Sequence, residues 1–266
     1  MIELAAPPAI IKPANGLWKP AAPAILRGKD LIFPRTNAML MVNQLIGFGV
    51  AAVPNIAILE SFATTGSTGT TTRTFTSVTV SAARTHLLIG VASRGDGVIS
   101  QITSMTANGI SCTQIGEQAA ASGIQSVELW AVADGSGGTS LSIVAVFDNN
   151  PVRAIGMAGV SLTGLQSLTP TSTGADTTDP LATTVNVDIG GVAFYIASAY
   201  DNAGAPPFTP SGVSEIADSA MAGAFGTYNG YSAGASVFAT AQSGLSIGAD
   251  PVGTIGEPTF FGASFR

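Results

Sequence analysis

The sequence has one cysteine (Cys112) and one histidine (His86) in 266 residues. The usual zinc sites need three or four nitrogen or sulfur ligands, so this inventory excludes them, and no disulfide can form within the chain. A single cysteine suits assembly in a reducing cytoplasm and equally suits a surface protein without disulfides. Charge is also scarce, at 10% of residues, and no lysine follows Lys29. No amphipathic helical period of useful length appears, which excludes bundles and α/β folds. What remains is 46% hydrophobic residues with 32 glycines, the composition of an ordered chain with ample apolar surface to bury.

The few charges are unevenly placed. Residues 1–45 carry Lys12, Lys19, Arg27, Lys29 and Arg35 against Glu3 and Asp30, a local +3, while residues 46–266 carry five arginines against fourteen acids, a local −9. The five spaced cations lack interleaved aromatics, so the arm is not read as a nucleic-acid footprint. Seven of the fifteen prolines fall in the first 54 residues, which rules out a continuous helix there and favours extended segments. An extended apolar arm cannot bury its own side chains and is expected to bury them against another protein. By size and apolarity the expected anchors are Ile10, Ile11, Trp18, Ile25, Leu26, Ile32 and Phe33.

Residues 38–59 are long enough to span a bilayer, but Asn43, Gln44, Pro54 and Asn55 interrupt the run and no basic cluster follows it. An interface segment is the expectation. No short apolar core with a small-residue cleavage site follows Met1, so no secretory signal is read. The domains are therefore set as a docking arm over 1–60, a Ser/Thr/Gly linker over 61–72 and a β-sandwich over 73–266.

Within 73–266 the text is short β-prone runs divided by turn signals. They lie at 73–80, 86–93, 101–107, 111–116, 125–133, 139–147 and 153–163, then at 183–188, 191–199, 212–217, 224–231, 233–241 and 258–265, with a polar stretch over 167–179. Asn108-Gly109 between two such runs is a hairpin signal, because a type I′ turn needs positive φ twice. The two series resemble each other: LLIGVAS matches AFYIASA, the hairpin region matches VSEIA, SLSIVAVF matches ASVFATA, and AIGMAGVSL matches TFFGASF. Neither series has enough strands for two sheets, so the expectation is one all-β, jelly-roll-like antiparallel sandwich built from two similar halves.

The succession LLIGVASRGDG, ITSMTANGISCTQIGEQ, QSVELWAVADGSGGTSLSIVAVF and AIGMAGVSLTGLQSLTP resembles a β-sandwich module of tailed-phage structural proteins and bacterial surface proteins. That family shows a "VTSVTYNG…LTQVG" hairpin, an "ELW" strand, a glycine-rich turn, a "TVTVTF" strand and an "AGAVSLTGVDQ-TP" closing strand. The present chain departs from it at Asp134-Gly135-Ser136-Gly137, in a turn where the family often has proline. The phrases PAIIKPA and PAILRGKD are similar to the docking arms that open phage virion proteins. The resemblance implies a virion structural protein made in the host cytoplasm, most readily a capsid decoration or head fibre. Its arm would dock on capsid, portal, collar or tail components through residues 1–54. Separately, low charge and abundant Ala, Gly, Ser and Thr favour close packing between subunits, so a symmetric homo-oligomer such as a trimer is expected. Other readings are a collar or tail fibre, or a surface adhesin that binds a host glycan.

No catalytic constellation emerges, so neither an enzyme nor a cofactor is expected. His86 opens a strand beside a turn, and Cys112 reads as a small strand residue. Glu128 and Glu215 could in principle serve as a glycosidase acid pair, but their spacing gives no support for convergence, and alternation with Val127 and Leu129 points Glu128 outward. Asp96-Gly97, Asp148-Asn149-Asn150 and Asp201-Asn202 could offer oxygen ligands to calcium, but turn chemistry explains them as well, and the Arg94-Gly95-Asp96 triplet reads as a turn. Trp130, Tyr195, Tyr200, Tyr228 and Tyr231 are the aromatics available to a sugar.

Overall fold

A computed structural model describes residues 25–27, 30–32, 55–66, 71–148, 152–223 and 228–266. The chain forms two compact units, Met1–Val53 and Pro54–Arg266. In the first, β1 (Ile25–Arg27) and β2 (Asp30–Ile32) form an antiparallel hairpin, with Ile25 opposite Ile32 and Leu26 opposite Leu31.

The second unit is all antiparallel β-structure. Its first half contains β3 (Ala57–Gly66), β4 (Thr72–Thr79), β5 (His86–Arg94), β6 (Ile102–Ala107), β7 (Ile110–Ser111), β8 (Thr113–Ala119), β9 (Gln125–Ala133), β10 (Ser140–Phe147) and β11 (Ala154–Thr163). The second half contains β12 (Ser172–Asp176), β13 (Leu181–Val187), β14 (Val192–Tyr200), β15 (Phe208–Ser211), β16 (Ser214–Ala220), β17 (Ala222–Gly223), β18 (Asn229–Val237), β19 (Gln242–Pro251) and β20 (Gly256–Phe265).

The halves share one strand plan. In the first, β4-β10-β6-β7 form a small sheet and β3-β11-β5-β9-β8 a large one, with β17 also joining β11. In the second, β13-β19-β15 and β12-β20-β14-β18-β16 repeat that order. The ladders fix the equivalence residue by residue. Pairing of β11 with β5 and of β20 with β14 puts Leu87 level with Ala193 and Gly159 level with Gly262. β8 and β16 each carry a bulge at the same place, around Ile115 and Ile216, against β9 and β18. Such bulges, together with Glu117 and Asp218 two residues on, keep these edge strands from recruiting further strands.

Three of the four expected sequence matches therefore coincide with topological equivalents. The fourth does not: SLSIVAVF lies in β10, whose counterpart is β19, whereas residues 233–237 belong to β18, the counterpart of the ELW strand β9.

The expectation of a single sandwich is corrected in the same way. Each half has its own pair of sheets, because β3, β12, β15 and β19 supply strands that the sequence pattern did not suggest. The linker expected over 61–72 is largely strand: Ser61–Gly66 continue β3 along β11, with Phe62 buried.

Three apolar layers hold this stack. Leu87, Ile89, Val91, Trp130, Ile143 and Met157 fill the first sandwich, and Leu181, Val185, Tyr195, Phe208, Ile247 and Phe260 fill the second. Between them the two large sheets meet back to back through Leu88, Leu129, Val160, Phe194, Ile196, Phe261 and Phe265, with alanine at eight of the buried positions. Strands β5, β9, β11 and β14 are consequently buried on both faces, which explains their unbroken apolar text in an antiparallel sheet.

Close approach sets where side chains must be absent. A Cβ on Gly90 would lie 2.8 Å from Ile196 Cβ across the central layer, and one on Gly159 would lie 2.3 Å from the Leu88 carbonyl oxygen and 2.5 Å from the Phe62 ring. Gly159→Val is expected to cost about 3 kcal/mol or more in urea unfolding, since neither backbone nor ring can yield cheaply. Gly135→Ala, where nothing lies within 4 Å, is expected to stay within about 0.5 kcal/mol of the parent.

Candidate functional site

The two ends of the stack differ. At one end lie Asn55 and Ile56, the β13–β14 turn and the C-terminus: the Ile56 N–H donates to Gly190 O, and the Gln166 N–H donates to Arg266 O. Arg84 sits there, fully buried, donating to Asp134 Oδ2 at 2.6 and 2.9 Å, to Ser136 Oγ at 2.9 Å, to Ser81 O at 3.0 Å and to Gly138 O. Burial alone would raise the Asp134 carboxyl, but the bonds from the Ser136 N–H, Arg84 and the Ser136 hydroxyl outweigh it and hold the group below its ordinary range. This is a structural clasp of two turns.

The opposite end gathers loops from both halves around Arg94 and Tyr200, which hold equivalent last positions in β5 and β14. The Arg94 guanidinium lies 4.5 Å over the Tyr200 ring, and its Nη1 donates to Asn229 Oδ1 at 3.0 Å and Glu257 Oε2 at 3.1 Å. Tyr228 stands beside Tyr200 with ring centroids 6.3 Å apart and an interplanar angle of 59°. The Tyr200 hydroxyl donates to Asn202 Oδ1. Beneath them Asp201, itself buried, accepts from the Ala203 N–H at 2.9 Å and the Thr254 N–H at 3.2 Å, tying the β14–β15 turn to the β19–β20 turn. Glu257 holds φ +56°, a left-handed conformation uncommon for its residue type.

The sequence candidates separate clearly on this frame. Ile10, Ile11, Trp18 and Phe33 lie outside the described residues, as do residues 38–54 of the apolar run. Ile25, Leu26 and Ile32 fall on the β1–β2 hairpin. Trp130, Tyr195 and Tyr231 are core residues, so only Tyr200 and Tyr228 remain together near the surface. Arg94 and Asp96 of the Arg-Gly-Asp triplet are each engaged, Asp96 by Arg153.

His86 Nδ1 faces the Thr85 hydroxyl at 2.9 Å, and burial lowers its pKa. Burial pushes the Cys112 thiol up to about 12, far from the range of a reactive thiolate. Among the described residues no three His, Cys, Asp or Glu side chains converge as metal ligands, and no helix is long and apolar enough to cross a membrane. A groove of about 250 Å³ between residues 61–64 of β3 and 76–79 of β4 is lined by no charged side chain.

Glu128 is corrected. It is 1% exposed and points into the first sandwich, because β9 is covered on both faces and no outward side exists there. Its Oε1 accepts from the Ile102 N–H at 2.7 Å, and its Oε2 accepts from Trp130 Nε1 at 3.1 Å and Gln114 Nε2 at 3.2 Å. Glu215 is exposed on β16, in the other large sheet.

No protein-family model, curated protein or solved structure matches this chain.

Burial raises the Glu128 carboxyl to about 8 against the bonds from Ile102 and Trp130, with Glu117 and Asp148 adding to the rise. The folded chain thus keeps a proton that the unfolded chain releases near its ordinary value of 4.5. Stability is expected to fall as pH rises between about 4.5 and about 8, by up to about 1.4 kcal/mol per pH unit from this one group. Chemical denaturation across that window should show the slope in the parent and its loss in Glu128→Gln.

Proposed function

We propose that the chain is a non-enzymatic structural protein of a tailed-phage or phage-like virion, anchored by residues 1–54 and displaying the β-structured unit. Capsid decoration or head fibre is the preferred location. The observation that carries this reading is polarity: the β-structured unit is entered at Asn55 and Ile56 from one end of the strands, while the Arg94 and Tyr200 loops lie at the other. A tether leading away from that end would leave the opposite loops for display. The proline-rich, locally cationic arm and the phrase-level likeness to phage modules support the same reading.

Each half is also read as a jelly-roll variant. Numbered from its first strand, a half runs 1-8-3-6-5 in one sheet and 2-7-4 in the other, the jelly-roll order with strand 5 carried across to the larger sheet. In the first half β7 pairs with β6 before the chain crosses into β8, so the start of that segment keeps the jelly-roll pairing. Low charge, with Ser and Thr on the open faces of the small sheets, suits close packing of copies in a homo-oligomer, of which a trimer is one form.

A second reading, a surface or tail adhesin for a host glycan, is favoured by the exposed Tyr228 beside Tyr200.

Deleting residues 1–54 is expected to abolish incorporation into particles while leaving a β-sheet circular dichroism spectrum and a cooperative melt. Quantitative mass spectrometry of particles assembled with either form measures this, and normal incorporation of the truncated form would reject the tether.

A further inference from the structure

Among the described aromatics of the β-structured unit, Tyr228 is the one left exposed, at 41%, and it does not stand alone. Its ring and that of Tyr200 make a tilted corner rather than a flat stack. A pyranose offers an apolar C–H face ringed by hydroxyls. Its recognition calls for an aromatic wall with planar hydrogen-bonding groups at the rim, held rigid before the sugar arrives. We propose that this end of the stack binds a neutral saccharide, with Tyr228 and Tyr200 as the stacking corner and Asn202, Arg94 and Glu257 as the polar rim.

Four observations converge on it. The rim side chains are fixed without ligand: Arg94 is held by Tyr200, Asn229 and Glu257 together, so little side-chain entropy is lost on binding. The Arg94 and Glu257 side chains keep 12% and 18% of their surface open, enough for a hydroxyl to reach them. The floor is braced by the Asp201 turn bonds. Finally, Glu257 carries its left-handed backbone beside the cluster, and local strain of this kind gathers at ligand sites.

The charge balance selects the class of sugar. Arg94 is matched by Glu257 and Arg153 by Asp96, so neither of these cations offers a surplus charge to a sialic or uronic acid. The inference rests on the second reading, the glycan-binding adhesin, and names its sugar class and residues; it does not depend on where the arm docks.

The test uses the full chain on an oligosaccharide array holding neutral gluco-, galacto-, manno- and N-acetylglucosamine series together with sialylated ones. Hits are titrated calorimetrically with the parent, Tyr228→Ala and Asn202→Ala. The expected result is binding of at least one neutral series, weakened tenfold or more in Tyr228→Ala and severalfold in Asn202→Ala, with thermal melts unchanged. Asn202 lies on an exposed turn, so its variant decides the matter should Tyr228→Ala fail to fold. Absence of any bound saccharide, binding confined to the sialylated series, or binding unchanged in the variants would each overturn the proposal. Particle incorporation of Tyr228→Ala, expected to be normal, separates failure here from failure of the virion reading.

Discussion

The back-to-back contact of the two large sheets governs the rest of the structure. A sheet covered on both faces cannot alternate apolar with polar residues, and two such sheets approach closely only where side chains are small. That explains alanine at eight buried positions of the central layer and the glycines whose added Cβ would strike the opposing sheet, such as Gly90 against Ile196 and Gly116 against Phe261. It also accounts for the scarcity of charge. Four layers leave solvent only the small sheets, the edges and the loops, and the one carboxyl in the middle of β9, Glu128, is enclosed by three donors.

The same constraint decided which elements could be read from the amino-acid order. Strands buried on both faces, such as β5, β9 and β14, announce themselves as apolar runs, and their ends were foreseen to within a residue or two. Strands β12 and β15 are polar edges, and β3 is an edge rich in Thr and Ser, so their text resembles a loop. β19 is central in its small sheet, yet its Ser and Gly residues hide it for the same reason: one face looks to solvent. Without these four strands the halves seemed too poor to stand as separate sandwiches.

The loop cluster was legible only as an inventory. Tyr200, Tyr228 and Arg94 could each be named as candidates of some kind, but nothing in their spacing announces that the last residues of β5 and β14 meet. That meeting depends on the register of two ladders and on how the halves face each other. Glu128 turns inward against its sequence pattern for a related reason, since alternation predicts an outward face only where one exists.

The duplicated plan has a further meaning for how this surface could arise. If the halves were separate identical subunits around a twofold axis, every contact between equivalent positions would pair a residue with itself, and the position held by Arg94 and Tyr200 would bring two arginines or two tyrosines together. One continuous chain removes that restriction. Gly116 can shrink where Phe261 has grown, while the corresponding places in the other arrangement hold Ala217 and Ala158. Gly156 can likewise make room for Tyr231 where the counterparts are Thr259 and Val127. Covalent fusion thus turns a self-complementary seam into a hetero-complementary one, in which an arginine from one copy can rest on a tyrosine from the other.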